Sequence, residues 1–370
     1  MSEEIRKPTI AFLTTDWSFG LQPIQPNGCS YYRCKLPMDE IQTRYGWICG
    51  MGLPGLHPTK GVGMLIENDK AIHGWDLIVI KLIMHKTFSE FMPIAKGLGQ
   101  KIIVDIDDWF DGLEPTNRAF ETTDPKKNPE VNREHYASII NQADALIVST
   151  PFLLDYYKQF HKNVFLVRNG IDLDRWKRRK VKDTHKPTIG WVGATPWRSN
   201  DLEVLGPKFG EYMKKNKLNF HHSGHTSDAP LAHEMVGVDI ARSTVSHMLP
   251  ISDYPKLFEH MDIGIVPLSN VRFNDAKSYI KGLEYAAAGI PFIASPSPEY
   301  LELAKSGIGR IAYNWDDWEY HFDELLDPQK RKDDIEVNLE NLKNFTVKAR
   351  GSEWDSTFRH ILYGIQEYHD

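Results

Sequence analysis

Short runs of aliphatic and β-branched residues recur along the chain, and longer stretches with a helical apolar period separate them. The first set is TIAFLTT (residues 9–15), DLIVIKLIM (76–84), KIIVDI (101–106), ADALIVST (143–150) and NVFLVRN (163–169). After a charged stretch a second set follows: IGWVG, LNFHHSGH, DIGIVPL and PFIAS. Runs this short, apolar on both faces and bounded by loops, predict strands buried on both sides of a sheet. The intervening segments SYYRCKLPMDEIQ, PFLLDYYKQF and PSPEYLELA predict helices. Repetition of strand, loop and helix predicts an α/β protein of two doubly wound domains. The expected boundaries are residues 1–178 and 179–348, with 349–370 forming a C-terminal helix. Residues 113–135, polar and rich in Pro, Asn and Lys, read as a mobile loop.

The most informative pattern is residues 273–295, FNDAKSYIKGLEYAAAGIPFIAS. Tyr279, Ile280, Leu283, Ala286 and Ala287 recur at helical spacing. Asn274 or Asp275 is placed to cap the start, and Gly289 and Pro291 end the helix before a buried strand. Lys277, Lys281 and Glu284 then fall on one stripe. Two lysines at i, i+4 repel, and the positive end of the helix dipole adds to the cost. A bound anion relieves both, because helix N-termini offer free N–H groups to phosphate. A solvated basic face is the alternative.

Open α/β sheets bind ligands beyond the carboxyl ends of their strands. His85 stands just past the second strand. Asp107 and Asp108 follow the third, where carboxylates can bind hydroxyls, take a proton or cap the next turn. Asn27, Gly28, Tyr32 and Arg33 lie in the loop and helix after the first strand. Gly28 is either a turn glycine or a point of close ligand approach. Arg33 either reaches an anion or pairs with Asp39 or Glu40. Gly193 ends the IGWVG strand and leads through residues 194–200 to a helix, a second geometry suited to phosphate.

The segment running from Lys281 through Glu284, Tyr285, Gly289 and Pro291 to Ser295 resembles the nucleotide-sugar signature of GT-B glycosyltransferases of the family-4-like retaining group. Its FN-x-x-KS-x-x-K-x-LEYAA-x-G-x-P form looks like a bacterial and phage-type branch. The PNG-x-SYYR piece, the VRNGID segment and the GW-x-G loop resemble other parts of the same family. The resemblance implies a GT-B fold, with two Rossmann-like domains facing a cleft and the last helix crossing back onto the first domain. It implies a nucleotide-sugar co-substrate such as a UDP- or GDP-sugar, retention at the anomeric carbon and no required metal. Glu284 would hold the ribose, and Lys277, Ser278, Lys281, Gly193 and Arg198 the diphosphate. His85, Asp107 and Asp108 would serve catalysis, with Asn27, Gly28, Tyr32 and Arg33 lining the acceptor side. Met248 to Pro250 would receive the nucleobase. Two family positions differ: a second glutamate is replaced by Ala276, and an arginine after the glycine by Ala194. Asp105-x-Asp107 looks like the metal-binding DxD of GT-A enzymes, a pattern that belongs to another fold. The acceptor stays open among a glycan, a protein and a modified DNA base. A non-catalytic binding protein on the same scaffold is a further reading.

Composition narrows this modestly. The 370 residues carry a formal net charge of −6, which excludes a global field drawing the chain to nucleic acid or membrane. The basic residues instead concentrate locally in RWKRRKVKDTHKP (175–187), which reads as a solvated hinge or a contact for an acidic partner. Three cysteines, all within the first fifty residues, fit a reducing cytoplasm. No apolar run approaches membrane-spanning length. His221, His222 and His225 lack cysteine or carboxylate partners at metal-ligand spacing.

Overall fold

The computed structural model describes residues 6–18, 24–66, 70–123, 132–197, 199–226 and 229–364. The chain divides into two compact units. Unit 1 comprises Met1–Asp111, Glu121–Gly170 and Val347–Asp370; unit 2 comprises Gly112–Phe120 and Ile171–Thr346.

Unit 1 contains a six-stranded parallel sheet. Its strands are β1 (Thr9–Thr14), β2 (Ile48–Gly52), β6 (Leu77–Lys81), β7 (Lys101–Ile106), β8 (Ala145–Val148) and β9 (Val164–Leu166), in the order β2-β1-β6-β7-β8-β9. A small antiparallel sheet of β3 (Pro54–His57), β4 (Gly61–Leu65) and β5 (Ala71–Ile72) lies between β2 and β6 in the chain. Periodicity carries no hint of it, because its glycine-rich strands have little apolar signal. Unit 2 contains a second six-stranded parallel sheet. Its strands are β10 (Thr188–Val192), β11 (Asn219–His225), β12 (Ser243–His247), β13 (Ile263–Val266), β14 (Phe292–Ala294) and β15 (Arg310–Ile311). The order β12-β11-β10-β13-β14-β15 is the dinucleotide-fold order 3-2-1-4-5-6. In each sheet the winding reverses at one place, between β1 and β6 and between β10 and β13. Crevices open beyond the carboxyl ends of the strands at such switch points.

Strand burial matches the apolar runs. Ile10, Ala11, Phe12, Leu13, Leu77, Ile78 and Val79 are all inaccessible. The last helix, Val347–Tyr363, belongs to unit 1, where Trp354 and Phe358 join Ile10, Phe12 and Trp47 in one core. The Trp47 indole N–H donates to Asp355 Oδ1 at 2.6 Å, fixing that helix in register. Tyr363, at the end of that helix, is half exposed.

Two expectations about connecting segments change. Residues 113–135 are not one loose loop. Gly112–Phe120 is part of unit 2, where Arg118 N–H donates to Pro196 O at 3.1 Å and Asn117 Nδ2 to Trp197 O at 3.2 Å. Residues 119–123 and 132–142 are helical. The basic stretch 175–187 is stitched to unit 2 rather than solvated throughout. Arg179 and Lys182 pair with Asp262, and the buried Arg331 donates to the carbonyls of Lys182 and Thr184. A charged sequence docks this way when its carbonyls as well as its side chains find partners. No helix among the described residues is long and apolar enough to cross a membrane.

Candidate active site

At the switch point of unit 1 the carboxyl ends of β1, β6 and β7 bring four charged side chains together below the surface. Arg33 and Asp105 are buried, and the guanidinium meets the carboxylate at 2.7 Å through Nη2 and 3.1 Å through Nε. Its remaining nitrogen donates to Val167 O at 2.7 Å and Asn169 Oδ1 at 3.1 Å, and its face stacks on Trp354 at 4.8 Å. Arg33 is therefore a clamp inside unit 1, and the pairing with Asp39 or Glu40 does not occur. Asp39 pairs with Lys35 and Glu40 with Arg44. The same contacts place Asn169, from the NGID segment, in a bracing position.

Lys81, the last residue of β6, is fully buried and lies 3.5 Å from Asp105 and in direct contact with Asp107. Burial works against its ammonium, but the charges of Asp107 and Asp105 outweigh this and hold it above the ordinary lysine value. Burial likewise works against the Asp107 carboxylate, but Lys81 and then Arg33 keep it below the usual range. Asp107 thus stands as a permanent anion. The sequence reading missed Lys81, although a lysine inside the run LIVIK signals a buried cation in need of carboxylates. Leu82, next in the chain, takes a left-handed conformation at φ 55°, and its carbonyl accepts from Thr15 Oγ1 at 2.9 Å. Strain at a non-glycine residue beside buried charges is the kind a functional loop retains.

The β1 loop is held by Asp16, which accepts from Ser30 N–H at 3.1 Å and Asn27 Nδ2 at 3.0 Å. Asn27 precedes the helical turn that starts at Gly28, and a side chain at Gly28 would meet open space. From Tyr31 to Lys35 the helix is π-wound, an irregularity that recurs at functional sites. Tyr32 is buried against Tyr31 rather than presented to a ligand. His85 is exposed and caps the helix Lys86–Gly97 through its carbonyl. Asp108 is half-buried beside Asp107.

In unit 2 the anticipated single helix is two. Arg272–Asp275 forms one turn and Ile280–Ala287 the helix proper. Asn274 caps neither. Its amide donates to Asp201 Oδ1 at 2.7 Å and Ser269 O at 2.9 Å, and Ser269 N–H donates to the same Asp201 oxygen at 3.1 Å. The buried Asp201 thereby ties the loop after β13 to the helix after β10. Lys277 stands before the helix, so the expected i, i+4 repulsion with Lys281 does not arise. Its ammonium lies 4.6 Å from the Phe273 ring, in a narrow pocket of about 30 Å³ with Trp197, Asp201, Asn274 and Asn117. Ser278 is half-buried beside it.

Lys281 points elsewhere. It meets the buried Glu284 carboxylate at 2.6 Å, and the Tyr254 hydroxyl donates to the same oxygen at 3.1 Å. Tyr254 lies on a 3₁₀ turn, Tyr254–Phe258, and no sequence signal singled it out. Ala276, at the family's glutamate position, is fully buried and so cannot present a side chain to a ligand. Gly193 follows β10, but its N–H already donates to Ser223 O at 2.9 Å, and its carbonyl partners His222 Nε2 at 2.9 Å. That amide is engaged within the sheet instead of being offered to phosphate. Arg198 lies outside the described residues.

His221 and His222 are buried side by side on β11. Burial first, and neighbouring imidazoles after it, push both down to about 4. They are neutral near neutrality. The described residues contain no group of three or more metal-ligating side chains suited to hold an ion.

No protein-family model matches the sequence, and no curated protein matches it. Solved structures do share its fold. Sucrose-phosphate synthase from Thermosynechococcus elongatus superposes with a TM-score of 0.64 over 97% of this chain and 100% of its own, at 13% identity. A glycosyltransferase from Rickettsia africae does so with a TM-score of 0.61 over 97% and 100%, at 12% identity. HepE from Anabaena, solved in complex with UDP, gives 0.60 over 95% and 99%, at 12% identity. With two parallel six-stranded sheets and these neighbours, the chain has the GT-B fold.

Proposed function

We propose that this protein is a glycosyltransferase that moves a sugar from a nucleotide-sugar to an acceptor hydroxyl. The observation that carries the reading is the Lys277 pocket at the switch point of unit 2. There a cation beside Asn274 and Trp197 stands beyond the carboxyl end of β13, with the Glu284 carboxylate held ready by Lys281 and Tyr254. Neighbours of this fold solved with UDP and UDP-glucose support the same assignment.

In this reading unit 2 takes the nucleotide-sugar. Glu284 accepts hydrogen bonds from the ribose hydroxyls, and Tyr254 and Lys281 set its orientation. Lys277 and Arg198 meet the charge that builds on the departing diphosphate, the largest contribution a preorganised site makes. These side chains perform that duty without a metal. The pocket is smaller than a sugar ring, so binding displaces the Glu114–Asn117 edge of the segment that lines it. Unit 1 takes the acceptor, a glycan, a protein or a modified DNA base. Asp107, held anionic by Lys81, orients the acceptor by accepting a hydrogen bond from it other than that of the reacting hydroxyl, and Asp108 and His85 flank it. The acceptor oxygen bonds to the anomeric carbon as the carbon–diphosphate oxygen bond breaks. The acceptor's proton passes to the departing diphosphate, and the anomeric configuration is retained.

The test is thermal shift with UDP-, GDP-, ADP- and TDP-glucose. A co-substrate at 100 times its Kd adds about 2.7 kcal/mol of stability. Lys277→Ala should abolish both the shift and slow hydrolysis of that co-substrate. The buried Ala276 favours one other reading, a binding protein on a GT-B scaffold. A shift with no turnover toward any acceptor or water would decide for it.

A further inference from the structure

Residues 112–120, GLEPTNRAF, belong to unit 2, although the chain on both sides of them belongs to unit 1. Between Leu113 and Arg118 they form turns rather than helix or strand. Asn117 organises the turn: its N–H donates to Glu114 O, its carbonyl accepts from Phe120 N–H, and its Oδ1 accepts from Ala119 N–H, each at 2.9 Å. Its Nδ2 donates to Trp197 O at 3.2 Å, and Arg118 N–H donates to Pro196 O at 3.1 Å. The Arg118 guanidinium lies 5.9 Å from the exposed Trp197 ring. Of residues 112–120 only Leu113 is buried. A segment held mainly by surface hydrogen bonds opens at low cost, because little apolar area is exposed when it does.

The segment closes the Lys277 pocket. Glu114, Thr116 and Asn117 share its lining with Asp201, Asn274 and Lys277. Its volume of about 30 Å³ holds a water molecule or two, whereas sites for small molecules run to about 300–1,000 Å³. A ligand therefore enters only when part of the lining yields. Asp201, Phe273 and Asn274 are buried, and the Asn274 amide donates to Asp201 Oδ1 at 2.7 Å, so that part is fixed. The turn between Leu113 and Arg118 is the part that yields. Charge points the same way. Glu114, Asp201 and Lys277 are the charged residues of the lining, and Asp201 is engaged by Asn274 and Ser269. Glu114 thus puts a negative charge on the movable part, in the pocket where a ligand's anion would meet Lys277.

We propose that residues 112–120 are an autoinhibitory strap: closed, they fill the diphosphate's place and set the Glu114 carboxylate against its charge; opened, they admit it. That the ligand is a nucleotide-sugar rests on the transferase reading; the strap's competition with an anion for Lys277 does not. Two effects add. The first is steric. Apparent affinity is the intrinsic affinity reduced by the fraction of molecules with the strap open, so loosening the strap tightens binding. The second is electrostatic. Removing the Glu114 charge removes a like-charge repulsion, and salt screens that repulsion at a half-exposed site.

The experiment measures binding of inorganic pyrophosphate and of UDP-glucose to the full chain by calorimetry, with hydrogen exchange of the Arg118 amide read on the same samples. Glu114→Gln, which keeps the side chain's shape, should tighten pyrophosphate severalfold, and the gain should shrink as salt is raised. Asn117→Ala, which releases the Trp197 carbonyl, should speed exchange of the Arg118 amide in the free chain. Saturating pyrophosphate should speed it in the wild type, because the strap leaves Pro196. Unchanged or weaker pyrophosphate binding in Glu114→Gln overturns the proposal, as does an Arg118 amide that saturating pyrophosphate leaves equally protected. Tighter pyrophosphate binding in Glu114→Gln with no UDP-glucose binding in any variant keeps the strap and sinks the transferase reading. UDP-glucose bound equally by wild type and Glu114→Gln, with the Arg118 amide undisturbed, sinks the strap alone. Failure of both ligands to bind sinks both.

Discussion

The two switch points solve the same topological problem with opposite chemistry. In unit 1 the strand ends converge on full charges, Arg33, Lys81 and Asp105 buried and Asp107 partly exposed, each satisfied by another. In unit 2 the strand ends are braced by neutral or singly charged groups: Asp201 accepting from Asn274 and Ser269, and uncharged His222 on the Gly193 carbonyl. The cation there, Lys277, is half-buried at the pocket's edge. A rigid charged cluster suits a site that must hold one hydroxyl in place. A half-buried cation set against the Phe273 ring suits the diphosphate role proposed for unit 2. Buried ion pairs contribute little net stability but are costly to break, so the contrast predicts where each unit is fragile.

The largest effect should come from Lys81→Met. Removing the buried cation takes one of its two cations from the buried Asp105 and its closest partner from Asp107, and urea unfolding should show a loss of about 3–5 kcal/mol. Lys277→Met, by comparison, should change stability by less than about 1 kcal/mol while removing nucleotide-sugar binding. Equal losses in the two variants would erase the contrast. Phe358→Ala comes next. It opens a cavity between the last helix and β1, and should cost roughly 3–4 kcal/mol, localised to unit 1 by hydrogen exchange. Loss of protection in unit 2 instead would place that helix's energetic role wrongly.

Acid sharpens the comparison further. His221 and His222 titrate near 4 in the folded chain, well below the ordinary value of about 6.5. The unfolded chain binds more protons between those values, so the stability these residues contribute is full above about 7 and is lost as pH falls toward 4. Each should cost roughly 2 kcal/mol between pH 7 and 5. Asp107 is shifted down from the ordinary carboxylate value, so its contribution persists through that window and fades only below it. Unit 2 should therefore loosen first on acidification, read by hydrogen exchange at pH 7 and 5. Simultaneous loosening of both units would contradict the assignment. A comparably small effect should be that of Tyr254→Phe. Losing one hydrogen bond to Glu284 should cost about 0.5–1.5 kcal/mol. A matching loss of UDP-glucose affinity would tie Glu284's orientation to co-substrate binding.

The strands were legible because burial on both faces forces continuous apolar runs, and the site segments were legible because loops follow those runs. TIAFLTT, KIIVDI and IGWVG each mark the end of a strand where the chain offers polar groups. The pairing of those groups was not legible. Nothing in the spacing tells Arg33 to choose Asp105, seventy-two residues away, over Asp39 on its own helix. Nothing local makes Asn274 break a helix it seemed placed to begin, because its partner Asp201 comes from another strand's loop. Periodicity is a property of neighbours along the chain, so the sequence by itself determined two wound sheets and the edge on which chemistry belongs. Which charge neutralises which and which amide is already engaged follow from desolvation and reach in three dimensions, and only the tertiary structure decided them.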